Sequence, residues 1–260
     1  METPLQNTFL LYLTSLLDNF FVCNCFKYLI YNEKPTTKML LSIFNRLIDH
    51  YGPQNWWPGD TVIEIMVGAV LTQATSWKNA ESAVETLKTN NLLSPKSIRN
   101  LDQNTLGNLI YSSGYYNVKA KRLKALMNYI YDQFNDDIET MSSCDIETLR
   151  NGLLSIHGIG EETADDILLY ALEKPVFVID SYTKRIFSRL GLAPLHGSYK
   201  LYSDFFTKNV CLNSKLYGEY HALLVIHGSA TCKPIPKCKE CCLLDVCKTG
   251  VENMKSSSIC

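Results

Sequence analysis

From residue 62 to residue 227 the apolar side chains of this sequence recur at helical intervals, and no alternating strand pattern persists. A chain patterned in this way hides its apolar stripes by packing helix against helix, so the expected class is all-α. The run at 62–72 (VIEIMVGAVLT) is too long for a typical strand. Residues 79–89 and 118–134 carry apolar positions at helical spacing, with Lys119, Lys121, Arg122 and Lys124 near the start of the second. Further short helices are predicted over 146–155, 162–172, 181–190, 199–209 and 215–227, separated by Gly, Pro and Asn signals. There is no internal repeat and no low-complexity tract.

With 260 residues, 46% of them hydrophobic, the chain can bury one large core or two modest ones. A formal net charge of −1 gives no global basic field, so contact with a polyanion would come from local patches. The apolar stretch at 8–31 is interrupted by Asp18, Asn19 and Asn24, and no Lys or Arg precedes it. A membrane span is therefore not expected there; a peripheral helix, or a true start at Met39, fits better. Of the ten cysteines, Cys232, Cys238, Cys241 and Cys247 fall in one short stretch with Cys242 adjacent, whereas Cys23, Cys25, Cys144, Cys211 and Cys260 are scattered. Such clustering suits metal ligation in a reducing, intracellular compartment better than a disulfide framework.

The segment Leu153-Leu-Ser-Ile-His-Gly-Ile-Gly-Glu-Glu-Thr-Ala-Asp-Asp-Ile-Leu has two glycines flanking Ile159, directly before a predicted helix. Gly158 and Gly160 allow a tight turn and close approach to another surface, and unpaired N–H groups at a helix start can meet a phosphate. An ordinary turn whose glycines only cap explains the same residues equally simply.

Four ordered segments together resemble the helix-hairpin-helix DNA glycosylases of the endonuclease III superfamily. Residues 153–172 resemble the family's hairpin. Val176-Phe-Val-Ile-Asp180-Ser-Tyr-Thr-Lys-Arg-Ile-Phe-Ser-Arg-Leu-Gly191 resembles the segment carrying its catalytic aspartate. Val67-Gly-Ala-Val-Leu-Thr-Gln-Ala-Thr75 is similar to its core helix, and Glu219-Tyr-His-Ala-Leu-Leu-Val-Ile-His-Gly228 leads into the cysteines as in the iron–sulfur members. The resemblance spans roughly residues 39–250. It implies that the hairpin binds DNA phosphate through Gly158 and Gly160, that Gln73 probes the gap left by a flipped base, and that Asp180 is catalytic.

Read from its neighbours alone, Asp180 is a helix N-cap. In the role the resemblance implies, its carboxylate stabilises positive charge developing on the deoxyribose and orients or deprotonates the attacking water. One departure from the family matters. Members that also cut the strand carry a lysine two residues after the second hairpin glycine, and here that residue is Glu162, beside Glu161. A carboxylate cannot form the imine of the lyase reaction, so a monofunctional glycosylase is expected. The alternatives are a bifunctional glycosylase/lyase acting on oxidised pyrimidines through another lysine, and a non-catalytic DNA-binding protein that keeps the fold.

Gln54-Asn-Trp-Trp-Pro58 and Gln73-Ala-Thr-Ser-Trp77 resemble the branch that includes 3-methyladenine DNA glycosylase III, which implies a base pocket of Trp57, Pro58 and Trp77. Aromatic faces hold a cationic N-alkylated purine with roughly 0.5–2 kcal/mol of cation–π attraction. Ordinary core packing explains tryptophans equally well.

The spacing Cys232-x5-Cys238-x2-Cys241-x5-Cys247 offers four thiolates, enough for zinc or for a 4Fe–4S cluster. The endonuclease III pattern has one more residue in the first gap, and Cys242 could replace Cys241. The family resemblance implies the 4Fe–4S cluster. Lys233, Lys237, Lys239 and Lys248 are interleaved with the ligands and read either as a basic rim for phosphates or as solvated loop lysines.

The expected architecture is two helical lobes with a DNA cleft between them. The resemblance implies that residues 58–174 form a helical barrel ending in the hairpin and 37–57 with 175–250 an iron–sulfur lobe, leaving 1–36 as an apolar extension and 251–260 as a tail. The expected partner is double-stranded DNA with a damaged base, met by a monomer.

Overall fold

The computed structural model describes residues 34–257, and among them the chain is helical with no strand. Residues 1–33, which include the apolar stretch at 8–31, lie outside the described residues. Among the described residues no helix is long and apolar enough to cross a membrane.

The elements in chain order are α1 (Pro35–Tyr51), α2 (Val62–Leu71), α3 (Trp77–Thr89), α4 (Pro95–Asn100), α5 (Gln103–Leu109), α6 (Tyr116–Phe134), α7 (Ile138–Ser143), α8 (Ile146–Ser155), α9 (Glu161–Asp166), α10 (Ser181–Leu190), α11 (Tyr199–Asn209), α12 (Ser214–Ala230) and α13 (Lys248–Ser257). Met39, weighed above as a first residue, lies inside α1. The stretch expected as a tail from 251 is helical as far as Ser257.

Capping chemistry sets the starts. Thr61, Ser76, Ser94, Asp102, Asp137, Asp145, Asp180, Ser198 and Asn213 each accept a backbone N–H of the first turn through the side chain. Pro35 and Pro95 occupy first-turn positions, where a missing N–H is harmless. Asn135 (φ +51°) ends α6 and Gly191 (φ +79°) ends α10, both in the left-handed conformation.

The chain divides into two compact units, one comprising the residues up to Trp56 with those from Pro175, the other Trp57–Lys174. The first has an aromatic core. Phe177 stacks on Phe206 at 3.7 Å and meets Tyr217 and Tyr220 edge-on at 5.2 and 5.8 Å. The hydroxyl of Tyr220, fully buried, donates to the Leu40 carbonyl at 2.8 Å, so the ring is buried with its polar tip satisfied. The apolar run 176–179 is thereby pinned, and with it the start of α10.

The second unit is built around α2, whose residues from Met66 to Leu71 are all buried. Lys119 of α6 is also buried there. Its ammonium donates to the carbonyls of Leu71 (2.8 Å) and Ser113 (2.6 Å), which ties the end of α2 to the start of α6. Burial, with Arg122 nearby, holds this lysine down at about 8. After α9 the backbone widens into a π-helix over Ile167–Ala171, a local register change that an unbroken α pattern over 162–172 does not anticipate.

Candidate active site

Asp180 is the N-cap of α10, and only 6% of it is exposed. Its Oδ1 accepts the Thr183 N–H at 2.6 Å. Oδ2 faces Nε2 of His221 on α12 at 3.8 Å, with both side chains buried. Burial lowers the His221 imidazole from its ordinary range, and the Asp180 carboxylate opposes that shift. The cap thus engages one oxygen of the carboxylate, and the other faces His221.

In the hairpin, Gly158 has φ +89°, and Ile159 is buried at 5% exposure while its N–H donates to the Ile156 carbonyl at 3.0 Å. A Cβ on Gly158 would lie 2.7 Å from Cγ of Arg122, so glycine is required there for space as well as for conformation. Gln73 is half-buried and fully engaged within the same unit. Its amide donates to the Gly158 carbonyl (3.1 Å) and to Thr163 Oγ1 (2.8 Å), while Arg122 donates to its Oε1 at 2.5 Å. Here the residue expected to probe DNA fastens the hairpin to the end of α2. Glu161 and Glu162 are exposed, and Glu161 lies 3.6 Å from Arg150, which is itself held by Asp165 at 2.7 Å.

Trp57 and Trp77 meet edge-to-face at 5.3 Å, and Trp57 also meets Tyr170 of the π-helix at 5.4 Å. Trp57 lies against Gly68, where a Cβ would be 3.0 Å from the indole nitrogen. Pro58 and Trp77 line a cavity of ≈ 230 Å³ with Asp60, Glu64, Glu81 and Glu85; Trp57 is not part of that lining. Lys88 also lines the cavity and bridges Asp60 (2.6 Å) and Glu64 (3.1 Å). The expected three-residue pocket is thus an aromatic group with a carboxylate-rich cavity on the Trp77 side.

Cys232, Cys238, Cys241 and Cys247 line a single apolar cavity that Cys242 does not line. Each of the four sulfurs has a polar neighbour. Arg189 donates to Cys232 (3.3 Å), Asn253 to Cys238 (3.5 Å) and the Gly250 N–H to Cys247 (3.3 Å), and Nε2 of His227 lies 3.6 Å from Cys241. Among the described residues no three ligating side chains converge as one metal ion would require. Four thiols lining one apolar cavity, each beside a polar neighbour, are a donor set suited to a 4Fe–4S cluster with one thiolate per iron. Burial pushes the Cys241 thiol up to about 11, a shift that a bound metal cluster would reverse.

Three residues of these sites had no assignment from sequence. Tyr170 is hidden because the π-helix alters its register. Arg122 read only as one of several cations near the start of α6. His221 has no motif spacing, and only packing brings it to Asp180.

The family described as HhH-GPD superfamily base excision DNA repair protein matches residues 67–208. MJ1434 of Methanocaldococcus jannaschii, a protein named as a DNA repair glycosylase, is 45% identical over 212 residues, covering 81% of this chain and 96% of that one. Endonuclease III of Sulfolobus acidocaldarius is 32% identical over 197 residues, covering 75% and 85%. Among solved structures, H. pylori 3-methyladenine DNA glycosylase (MagIII) bound to 1,N6-ethenoadenine is similar with a TM-score of 0.64 and 28% identity, over 74% of this chain and 96% of that one.

Proposed function

Because the chain belongs to the HhH-GPD superfamily of base excision DNA repair proteins and is a DNA glycosylase of that superfamily, we propose that it excises N-alkylated purines and does so without cutting the strand. The observation that carries the substrate class is the Trp57, Trp77 and Tyr170 group beside a carboxylate-rich cavity. An alkylated purine is cationic and electron-poor, so it stacks on indole faces and is favoured near carboxylates. The MagIII structure with a bound purine adduct supports the same class. Glu162 supports the monofunctional mode, since it has no amine to offer.

In this reading the flipped nucleotide loses its base to water. The N-glycosidic bond breaks, its electron pair leaves with the purine, and the cationic base departs neutral, so little acid catalysis is needed. Asp180 stabilises the positive charge on the sugar and takes the proton of the water that adds to it. Gly158 and Gly160 present the hairpin backbone to phosphate, and Gln73 enters the gap only by giving up its bonds to Gly158, Thr163 and Arg122. Cys232, Cys238, Cys241 and Cys247 would hold a 4Fe–4S cluster, which when bound orders the loop. The monomer acts on double-stranded DNA, with residues 58–174 as the barrel lobe and 37–57 with 175–250 as the iron–sulfur lobe.

The similarity to an endonuclease III favours a second reading, a glycosylase/lyase on oxidised pyrimidines. Base release from a methylated duplex separates the two. Wild type is expected to free methylpurine and leave strands that break only after alkali, and Asp180→Asn to be slower by about 100-fold or more. Absence of release removes the substrate class, and breaks without alkali remove the monofunctional mode.

A further inference from the structure

α12 is buried along most of its length, from Leu216 through Leu224 and again at His227 and Gly228. Leucine or alanine would fill such positions at no electrostatic expense, and burying an imidazole there carries a desolvation penalty. The side chain at 221 is nonetheless a histidine, 5% exposed, with its Nε2 turned to the oxygen of Asp180 that the helix cap does not use. We infer that His221 is a positioning residue for base excision, orienting Oδ2 of Asp180 toward the reacting sugar.

The inference rests on the reading of Asp180 as the catalytic carboxylate. Thr183 fixes Oδ1, which leaves rotation about the last side-chain bond restrained from one side only. The His221 imidazole, which turns Nε2 to Oδ2, would supply the second restraint with its proton on Nε2. The 3.8 Å separation is longer than a hydrogen bond, and it spans to one through a modest rotation or a bridging water. Burial keeps the imidazole uncharged near neutral pH, so it orients the carboxylate without cancelling the negative charge that faces the sugar cation. The same helix carries Glu219, whose carboxylate accepts the N–H groups of Gln54 (2.5 Å) and Asn55 (3.2 Å). α12 thus holds two polar restraints two residues apart, one on the catalytic carboxylate and one on the turn leading into Trp56 and Trp57.

The test is single-turnover base release from a methylated duplex by full-length His221→Leu and His221→Gln, each with its DNA affinity and melting temperature, beside Asp180→Asn. His221→Leu is expected to slow release by about tenfold to 100-fold with affinity for DNA within a few-fold of wild type, and His221→Gln, which keeps a donor, to recover most of the rate. Equal rates in wild type and both variants, or equal losses in both, would overturn the inference in favour of core packing. A second measurement needs no change at 221: the ring ¹⁵N signals of His221 in otherwise native protein are expected to shift on Asp180→Asn, and unchanged signals count against the contact even if His221→Leu fails to fold. Full activity of Asp180→Asn would instead remove the underlying reading of the active site.

Discussion

Glu162 stands two residues after Gly160, exposed on α9, and its carboxylate cannot form the imine of the lyase reaction. Replacing it with an amine tests whether the rest of the site is lyase-competent. Glu162→Lys is expected to give a borohydride-trapped protein–DNA adduct on alkylated duplex at least about tenfold above wild type, because an amine at the position where strand-cutting members carry lysine can form the imine. An adduct of equal yield in wild type would show that another lysine already serves. Gln73 makes a contrasting point at the same scale. Its family position suggests a probe of the duplex, yet all three of its hydrogen bonds go to the hairpin and Arg122. Entry into DNA would therefore carry the cost of releasing two neutral bonds worth about 0.5–1.5 kcal/mol each and the Arg122 bond, worth about 1.5–3 kcal/mol.

The hairpin, the π-helix and the cysteine loop are each short elements whose geometry depends on a neighbour. In the loop, Cys241 and Cys242 are chemically identical and adjacent, and only the fold distinguishes them. Cys241 lines the sulfur cavity and meets His227, whereas the Cys242 carbonyl accepts from Arg46, which is clamped by Asp245 at 2.7 Å. Cys241→Ala is expected to reduce iron per protein and visible charge-transfer absorbance by more than about half, and Cys242→Ala to leave both near wild type, since a cluster needs four thiolates at its corners. Iron and sulfide analysis with the visible spectrum checks this. The reverse result would assign the ligand to Cys242.

For the molecule as a whole, a net charge of −1 means that DNA is not captured by a general basic field. Lys233, Lys237, Lys239 and Lys248, all exposed around the cysteine loop, form one candidate local patch, diluted by Glu240 at 3.9 Å from Lys237. Four phosphate contacts would give a slope of log affinity against log salt of about −3.6, and each Lys→Ala change in the patch would flatten it by about one unit. Binding measured from low to moderate salt checks this. A wild-type slope as steep as about −8 would mean that phosphates are held mainly elsewhere.

The amphipathic segments 118–134 and 181–190 were legible because their periodicity commits them to one buried face, and became α6 and α10, while 62–72, read as an apolar run too long for a strand, became the buried α2; the 17-residue α1 was not read. The short α4, α5 and α7, with 6, 7 and 6 residues, were not read, since fewer than two turns carry too little pattern. Asp180 was visible as a cap and by resemblance as a candidate base, because both follow from its place in the chain. His221, Tyr170, the engagement of Gln73 and the distinction between Cys241 and Cys242 belong to the tertiary structure. Each depends on which residues distant in sequence share a buried space, and helical periodicity says which face is buried without saying what lies opposite.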